Sequence, residues 1–313
     1  MSDRDEPQGR TPGRPQGNPL PPSWAQRIDA LVRGELTPPQ PRLASTVVLL
    51  RNHVGGAEAR GAESRAERAE AGLQAYLLRR RSSMAFAGGM YAYPGGGVDP
   101  RDGTTAIGWA GPSAEEWGVR LGCPPETARA VVCAAVRETF EEAGVLLAGA
   151  DEHSVVADVS GEQWRADRVA LEGHELSFAE FLTRRGLVLR SDLLGGWARW
   201  ITPEFEERRY DTWFFVAAVP EGQRTAEVPG EADRVEWLSP GEAVRRAESG
   251  EFLMLPPTVT TLRELEPYGA AAQALEAARK REIAPIMARA QIVDGRVSVS
   301  WSGHPELTMG AGT

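Results

Sequence analysis

The sequence has few of the residues that mark several large protein classes. Only two cysteines, Cys123 and Cys133, occur in 313 residues, and they form no C-x-x-C pair, which excludes a disulfide scaffold and a zinc ribbon. No apolar run approaches the roughly 18 residues of a membrane span, and the first 22 residues lack the apolar region of a signal peptide. Lys and Arg number 35 against 44 Asp and Glu, so the net charge of −9 argues against a nucleic-acid binder with a basic surface. We therefore expect a cytoplasmic protein that contacts neither membrane nor nucleic acid.

The composition nevertheless supports a substantial hydrophobic core. Hydrophobic residues make up 42% of the chain, with 9 Trp, 8 Phe and 5 Tyr, which excludes a wholly disordered or fibrous protein. Pro-rich and polar segments then suggest the boundaries of one elaborated domain. We predict a largely disordered tail over 1–41, a domain over 42–302 with insertions near 55–72 and 99–126, and a flexible C-terminus over 303–313.

Hydrophobic patterning predicts an α/β or α+β fold. The apolar, β-branched run 45–50 is typical of a buried strand. The strongest helix is predicted over 128–143, where Gly144 is suited to end it in a left-handed conformation. Residues 99–126 are predicted to be irregular, and a strand is predicted over 145–147, directly after this helix. Further strands and helices follow, and the last predicted hairpin, 286–301, turns at Asp294-Gly295.

The predicted central helix carries an unusual set of carboxylates. At about 100° per residue, Glu138, Glu141 and Glu142 fall within an arc of roughly 100°, opposite its apolar side. Like charges at this spacing disfavour a helix by about 0.2–0.5 kcal/mol per pair, whereas a divalent cation would reverse that sign. Arg137 is placed to pair with Glu141 four residues later. A solvated acidic face is the alternative interpretation of the same pattern.

The whole string from Arg137 to Val145, R-E-T-F-E-E-A-G-V, resembles the core of the Nudix box, R-E-U-x-E-E-x-G-U, in which U is aliphatic. Thr139 at the first U is a departure. The family also has a Gly 14 residues before the Arg and a Glu 8 residues before it, where this chain has Cys123 and Arg129. The turn Pro94-Gly95-Gly96 resembles the missing start of the box. Gly96 stands 41 positions before Arg137 instead of 14, which corresponds to an insertion of 27 residues (41 − 14).

The residues that precede this turn make the resemblance specific to one branch of the family. The sequence Gly89-x-x-x-Tyr93-Pro-Gly-Gly and the later Leu255-Pro-Pro-Thr258 resemble the mammalian peroxisomal coenzyme A diphosphatase branch of the Nudix hydrolases. The resemblance spans roughly 45–265. The Arg that this branch has four residues before Gly89 is Ala85 here.

The resemblance implies a fold, a metal and a set of site residues. The fold would be a Nudix-type α/β/α sandwich with a mixed sheet, and the cofactor would be Mg²⁺ or Mn²⁺. The implied metal ligands are Glu138, Glu142, Glu141 and the backbone carbonyl of Gly95. The implied catalytic residues are Glu138, Glu141, Glu142, Arg137 and, as a distant ligand or base, Glu231, with Glu227 as its alternative. The candidate substrate-binding residues are Arg79, Arg81, Tyr93 and Arg209.

The function implied by the resemblance is metal-dependent hydrolysis of a small-molecule nucleoside diphosphate derivative. The favoured substrate is coenzyme A or acyl-coenzyme A, giving 4′-phosphopantetheine and adenosine 3′,5′-bisphosphate. Two alternatives stay open. One is a Nudix hydrolase of ADP-ribose, NADH or nucleotide sugars, and the other is a non-catalytic Nudix-fold module that binds a ligand or regulates. The sequence makes no prediction of the oligomeric state.

Overall fold

The computed structural model describes residues 22–53, 72–84, 87–226, 232–293, 296–301 and 303–310. These residues form two compact units. The larger unit contains the described part of 40–202 and 208–286, and the smaller contains 22–39, 203–207 and the described part of 287–310.

The elements of both units follow in chain order. The helices are α1 (Pro22–Val32), α2 (Ala114–Leu121), α3 (Pro125–Ala143), α4 (Glu162–Glu172), α5 (Phe178–Arg185), α6 (Pro240–Glu248), α7 (Pro256–Leu265) and α8 (Ala271–Ala278), with 3-10 helices at Pro100–Gly103 and Ser191–Leu193. The strands are β1 (Arg42–His53), β2 (Gly72–Arg80), β3 (Tyr91–Ala92), β4 (Gly95–Gly97), β5 (Trp109–Ala110), β6 (Ala148–Gly149), β7 (Val188–Arg190), β8 (Leu194–Ile201), β9 (Tyr210–Ala218), β10 (Ala232–Leu238), β11 (Pro285–Val293), β12 (Arg296–Trp301) and β13 (His304–Gly310).

A mixed sheet forms the centre of the larger unit. Its strands lie in the order β10-β2-β1-β9-β8, and β1 runs parallel to β9 while the other neighbours are antiparallel. The short strands β3 and β4 pair with β2 and β1. The run from Val47 to Leu50 is fully buried, as expected for a strand covered on both faces. The separate strands β5, β7 and β6 form a small second sheet.

Helices cover both faces of the central sheet, and two adjacent glycines of β8 demonstrate it. A Cβ atom on Gly195 would meet Ala278 of α8, whereas one on Gly196 would meet Leu121 of α2. Successive residues of a strand point to opposite faces, so α8 and α2 lie on opposite sides of the sheet. The predicted α/β sandwich with a mixed sheet is therefore confirmed.

Helix α3 is buried along most of its length. It begins at Pro125, a favourable first position, without a side-chain cap, and Gly144 ends it with the predicted left-handed conformation (φ 65°). The hydroxyl of Ser45 on β1 donates to the carbonyl of Val131 at 2.6 Å, which ties the helix to the sheet. Every residue from 130 to 141 is buried, so Glu138 and Glu141 do not lie on a solvated face, while Glu142 is half-buried.

The expectation that 99–126 is irregular is wrong for its second half. Ser113 and Glu116 form a reciprocal capping box that starts α2. Trp117 of this helix is 1% exposed and belongs to the main core. The hydroxyl of Ser191 bonds the carbonyls of Ala110 and Pro112 and fixes the segment before the helix. An eight-residue helix with an internal glycine has too weak a periodic signal to be predicted.

A strand was also predicted directly after α3, over 145–147, and here the structure differs. These residues are fully buried but lie outside the described strands: the carbonyl of Leu147 accepts from the backbone N–H of Arg190 in β7 at 3.0 Å, and no described strand pairs with Leu146. The side chain of Gln223 takes that role, because its amide accepts from the backbone N–H of Leu146 and donates to the carbonyl of Leu146, both at 2.9 Å. An amide side chain thus satisfies buried backbone groups that a strand would otherwise satisfy.

The smaller unit contains α1 and the antiparallel strands β11, β12 and β13. The predicted last hairpin is confirmed by the pairing of Val293 with Arg296, while its turn residues 294–295 lie outside the described residues. The C-terminus was expected to be flexible, yet 304–310 forms β13 because it pairs with β12. The largely disordered tail predicted over 1–41 contains the helix α1 in its described part, while 1–21 and 54–71, the latter in a predicted insertion, lie outside the described residues. Within the part of the chain that the structure describes, no helix is long and apolar enough to cross a membrane, and the cytoplasmic location stays a prediction.

Candidate active site

The glycine turn and the carboxylate helix meet in the larger unit. Strand β4 pairs with β1, which places Gly95 opposite Thr46 and beside α3. The backbone N–H of Gly95 donates to Glu142 Oε2 at 2.7 Å. A Cβ atom on Gly96 would lie 2.6 Å from Glu138 Oε1, so only glycine leaves room for that carboxylate. The two segments that resemble the split Nudix box are therefore joined in space.

Arg137 organises the carboxylates at this junction. Its Nη1 donates to Glu138 Oε1 at 2.8 Å and to Glu141 Oε2 at 3.1 Å, the second being the predicted pair. Its Nη2 donates to the carbonyl of Gly97 at 2.9 Å, so the same guanidinium also holds the turn. Charge-assisted bonds of this kind are the stronger hydrogen bonds in proteins. Arg137 therefore links the helix carboxylates to the turn.

A fourth carboxylate, which sequence reasoning missed, completes the arrangement. Asp102 accepts from Arg137 Nε at 3.1 Å and from Arg137 Nη2 at 3.0 Å. Asp102 lies in the 3-10 helix Pro100–Gly103, where it forms a capping box with Asp99. The signal that could have found Asp102 is the spacing of the box: its Glu follows its Gly by six positions (14 − 8), and Asp102 follows Gly96 by six.

Burial and crowding perturb the acid groups. Burial, reinforced by the charges of Glu141 and Asp102 and opposed by Arg137, raises the pKa of Glu138 to about 7. Burial also raises the pKa of Glu141, again against the effect of Arg137. Burial alone would lower the pKa of Arg137, but Glu138, Asp102 and Glu141 outweigh it and raise that pKa. The site therefore holds more negative charge than its one arginine neutralises.

Comparison with known proteins agrees with this geometry. A family model of the NUDT19 Nudix domain matches residues 114–265, from the start of α2 to the end of α7. These residues are thus similar to a Nudix domain. The match includes the three candidate ligands Glu138, Glu141 and Glu142, while the glycine turn lies before the first matched residue.

Two relatives and one solved structure are similar to this chain over more residues than the family model matches. The acyl-coenzyme A diphosphatase NUDT19 of Gallus gallus is 28% identical over 224 residues, which cover 58% of each chain. The Homo sapiens protein of that name is 26% identical over 233 residues, covering 62% of this chain and 60% of its own. The chain thus spans less than two thirds of the length of these relatives. The crystal structure of a Nudix hydrolase from Alicyclobacillus acidocaldarius superimposes with a TM-score of 0.58 at 25% identity, over 76% of this chain and 96% of its own.

The donor groups of the candidate site suit a hard divalent cation. Within the described ranges, no three His, Cys, Asp or Glu side chains are already arranged as a ligand cage. However, four carboxylates (Asp102, Glu138, Glu141 and Glu142) surround the single guanidinium of Arg137 and the glycine turn. Mg²⁺ prefers oxygen ligands and commonly uses only one or two carboxylates with water, so a preformed cage is not required. The residues present fit such an ion.

The distant acid predicted for the site belongs to a segment that the structure does not describe. Glu231 and its alternative Glu227 lie outside the described residues. The structure adds another acid near the site, because the charge of Glu172 at the end of α4 contributes to the raised pKa of Glu141. No motif pointed to Glu172, since α4 carries no pattern beyond helical spacing.

The arginines predicted to bind substrate, Arg79 and Arg81, contact the start of β10. Arg79 pairs with Asp233 at 2.6 Å. Strand alternation places Arg79 on the face opposite Tyr76, and Tyr76 packs in the core with α3. Arg81 donates to the carbonyl of Ala232 at 3.3 Å just beyond the strand. Arg80, which was not predicted, shares the face of Tyr76 and is the arginine of this run on the side of α3.

Tyr93 and Arg209 have structural roles that their sequence did not indicate. Tyr93 is buried, and its hydroxyl donates to the backbone carbonyl of Thr258 at 2.9 Å. Arg209 is also buried, and its Nε donates to the carbonyl of Thr202 at 3.1 Å. Both side chains therefore anchor backbone, and neither is exposed for contact with substrate.

Proposed function

We propose that this chain is a divalent-metal-dependent diphosphatase that hydrolyses a nucleoside diphosphate derivative, with coenzyme A or acyl-coenzyme A as the favoured substrate. The observation that carries the proposal is the meeting of Glu138 and Glu142 with the turn Gly95-Gly96, fixed by Arg137. A Nudix domain that has lost catalysis would not need three intact carboxylates around one buried arginine. The non-catalytic alternative is therefore disfavoured.

Glu138, Glu142 and the carbonyl of Gly95, with Glu141 directly or through water, would hold Mg²⁺ or Mn²⁺. When bound, the ion supplies neutralisation of the diphosphate charge and a lowered pKa of the attacking water. The protein contributes fixed positions: Arg137 holds Glu138 and Glu141, and the N–H of Gly95 holds Glu142. Water attacks phosphorus, the phosphoanhydride P–O bond breaks, and no covalent bond to the protein is required. Glu231 stays our candidate to accept the proton of that water.

Support for coenzyme A as the substrate comes from the relatives and from the residues that precede the glycine turn. Both NUDT19 relatives are acyl-coenzyme A diphosphatases by name. The segment Gly89 to Gly96 resembles that branch, although Ala85 stands where the branch has an arginine and lies outside the described residues. We therefore propose cleavage to 4′-phosphopantetheine and adenosine 3′,5′-bisphosphate. Hydrolysis of ADP-ribose, NADH or nucleotide sugars is the second candidate, because the same metal chemistry serves any diphosphate.

A product-resolved substrate panel tests the proposal. We expect the highest kcat/KM for coenzyme A or its esters with Mg²⁺ or Mn²⁺, and lower values for dephospho-coenzyme A, ADP-ribose and NADH. Glu142→Gln is the matched control, because its amide oxygen can still accept from the N–H of Gly95 while one negative charge is lost. We expect this variant to fold and to lose at least 100-fold in kcat, in line with the roughly several kcal/mol that metal stabilisation contributes. A higher kcat/KM for ADP-ribose would reject the coenzyme A assignment, and near-normal turnover by Glu142→Gln would reject the site.

A further inference from the structure

Arg168 of α4 is a buried cation that no close acceptor among the described residues neutralises. It is 7% exposed, and its Nε is buried without a hydrogen-bond partner in the described part of the chain. Its ion pair with Glu172 joins Nε and Oε1 at 3.9 Å, which is beyond hydrogen-bond distance. Burial lowers the pKa of Arg168, the charge of Glu172 opposes this effect, and the like charge of Arg165 reinforces it. A buried charge in this state costs stability and therefore requires a functional explanation.

The other buried arginines differ from Arg168 in their partners. Three further arginines are buried in the described chain, namely Arg137, Arg190 and Arg209. Each of them donates at least one hydrogen bond of 3.1 Å or less to a carboxylate or a backbone carbonyl. A guanidinium needs such acceptors when it is buried, because it has five N–H donors and cannot lose its proton. The acceptor that Arg168 lacks must therefore come from outside the described residues.

Helix α4 places this guanidinium beside the end of α3. A Cβ atom on Gly144, the residue that ends α3, would lie 2.7 Å from Arg168 Nη1, so glycine leaves room for the arginine. Three residues of helix, a rise of about 4.5 Å, separate Gly144 from Glu141. Glu172, one turn after Arg168, is near enough for its charge to raise the pKa of Glu141. Arg168 thus lies about one helical turn beyond the candidate metal ligands.

Two roles can account for an arginine in this position. A cation beside the last turn of a helix is attracted by the helix dipole, but this attraction leaves the donors of the guanidinium without acceptors. A phosphate group supplies both the negative charge and the oxygen acceptors, in a geometry that matches the planar guanidinium. The candidate site also holds more negative charge than Arg137 neutralises, so an anionic substrate needs a further cation close to it. The second role therefore explains more of the observations.

We infer that Arg168 is a substrate-binding residue of the candidate active site, whose guanidinium binds a phosphate group of the nucleoside diphosphate derivative at the end of α3. The inference rests on the proposed function and adds to it a residue outside the segments that resemble the Nudix box. Glu172 is then the distant partner that Arg168 exchanges for the phosphate. Its side chain is 32% exposed, whereas that of Arg168 is 8% exposed, so solvent reaches the pair from the side of Glu172.

Arg168→Met separates phosphate binding from packing, because it removes the charge and keeps a long apolar side chain. We expect kcat/KM to fall about 10- to 100-fold, mainly through KM, as for the loss of a hydrogen bond to a charged group. The melting temperature should equal or exceed that of the wild type, because an uncompensated buried charge has been removed. Arg165→Met is the matched control, since Arg165 is exposed on the same helix and carries the same charge. It should keep kcat/KM within about twofold of the wild type.

Binding measured without turnover identifies the phosphate group. Calorimetry in the Glu142→Gln background with Mg²⁺ gives a Kd for coenzyme A, dephospho-coenzyme A and ADP-ribose. Adding Arg168→Met should raise the Kd about 10- to 100-fold for all three ligands, because they share the diphosphate and Arg168 lies next to the candidate metal ligands. A loss confined to coenzyme A would also support phosphate binding and would assign Arg168 to the 3′-phosphate.

Two results would overturn the inference. Unchanged KM and Kd in Arg168→Met, with a lowered melting temperature, would mean that Arg168 only stabilises the end of α3. Equal losses in Arg165→Met would mean that α4 attracts anions through its overall charge. Should Arg168→Met not fold, Arg168→Lys, which keeps the charge and loses the planar fork, replaces it in both measurements. A wild-type protein inactive on every diphosphate would instead overturn the proposed function, while the Kd values measure phosphate binding separately.

Discussion

Replacing the three glycines of the turn one at a time separates packing from chemistry in the candidate site. A Cβ atom on Gly95 would lie 2.4 Å from the backbone carbonyl oxygen of Ser45. One on Gly96 would lie 2.6 Å from the carboxylate of Glu138, and one on Gly97 would have no atom within 4 Å. Backbone of a paired strand cannot move away easily, whereas a carboxylate at the end of a side chain can. The three Ala variants should therefore fail in different ways.

The expected sizes follow from these contacts. Gly95→Ala should lower the free energy of unfolding by about 1–3 kcal/mol, the usual cost of overpacking. In Gly96→Ala, ordinary contact begins near 3.4 Å, so the carboxylate of Glu138 must shift by 0.8 Å (3.4 − 2.6). A displacement of about 1 Å costs on the order of 100-fold in rate. Gly97→Ala should keep its activity and be neutral or up to about 1 kcal/mol more stable, because alanine restricts the unfolded chain.

The assay pairs urea unfolding with kcat on the preferred diphosphate. The decisive variant is Gly96→Ala, for which we expect stability close to that of the wild type and about 1% of its kcat. Full activity in that variant would mean that the position of Glu138 is unimportant. Equal damage from Gly97→Ala would mean that the turn responds to any loss of glycine, and the reasoning from contact distances would be wrong.

Two further predictions concern pH and the inserted segment. The folded-state pKa of Glu138, about 7, lies above its ordinary 4.5, so its stabilising contribution is present below pH 4.5 and disappears as pH rises through 7. In EDTA, the free energy of unfolding of the wild type should fall by about 3 kcal/mol between pH 4.5 and pH 7, and that of Glu138→Gln should not show this fall. Parallel pH profiles of the two proteins would refute the prediction. Trp117→Ala should lower the free energy of unfolding by about 3–5 kcal/mol, because Trp117 is fully packed. Val119→Ala is its control on the exposed side of α2 (86% exposed), and equal losses would show that α2 is not core.

Local features of the site were predictable because they repeat within a few residues. The spacing of Glu138, Glu141 and Glu142 defines one helix face whatever surrounds it, and Gly144 ends the helix by its own conformational preference. The pair Arg137–Glu141 likewise follows from a separation of one helical turn. The burial of this face was not predictable, because the layers that cover it are assigned only by tertiary packing.

Residues whose roles depend on long-range packing were not predicted from the sequence. Asp102 reaches Arg137 from a different segment, and no periodicity connects them. Choosing Arg80 over Arg79 requires knowing which face of β2 lies towards α3. Tyr93 lies in the segment before the glycine turn, which resembles a substrate-binding motif. Its hydroxyl nevertheless donates to the backbone carbonyl of Thr258, 165 positions later. Such contacts are properties of the assembled fold.

The place of β1 at the centre of the site has a consequence for the order of assembly. Ser45 and Thr46 hold α3 and the glycine turn, respectively, while the same strand pairs in parallel with β9, where Thr46 lies opposite Phe214. Pairing β1 with β9 closes a loop that contains all of the chain between these two strands. Closing so long a loop costs entropy before any contact is gained, and folds with distant pairings form slowly. During synthesis, the glutamates leave the ribosome well before the strand that completes their support. A growing chain should therefore be unable to hydrolyse diphosphates until β9 has emerged.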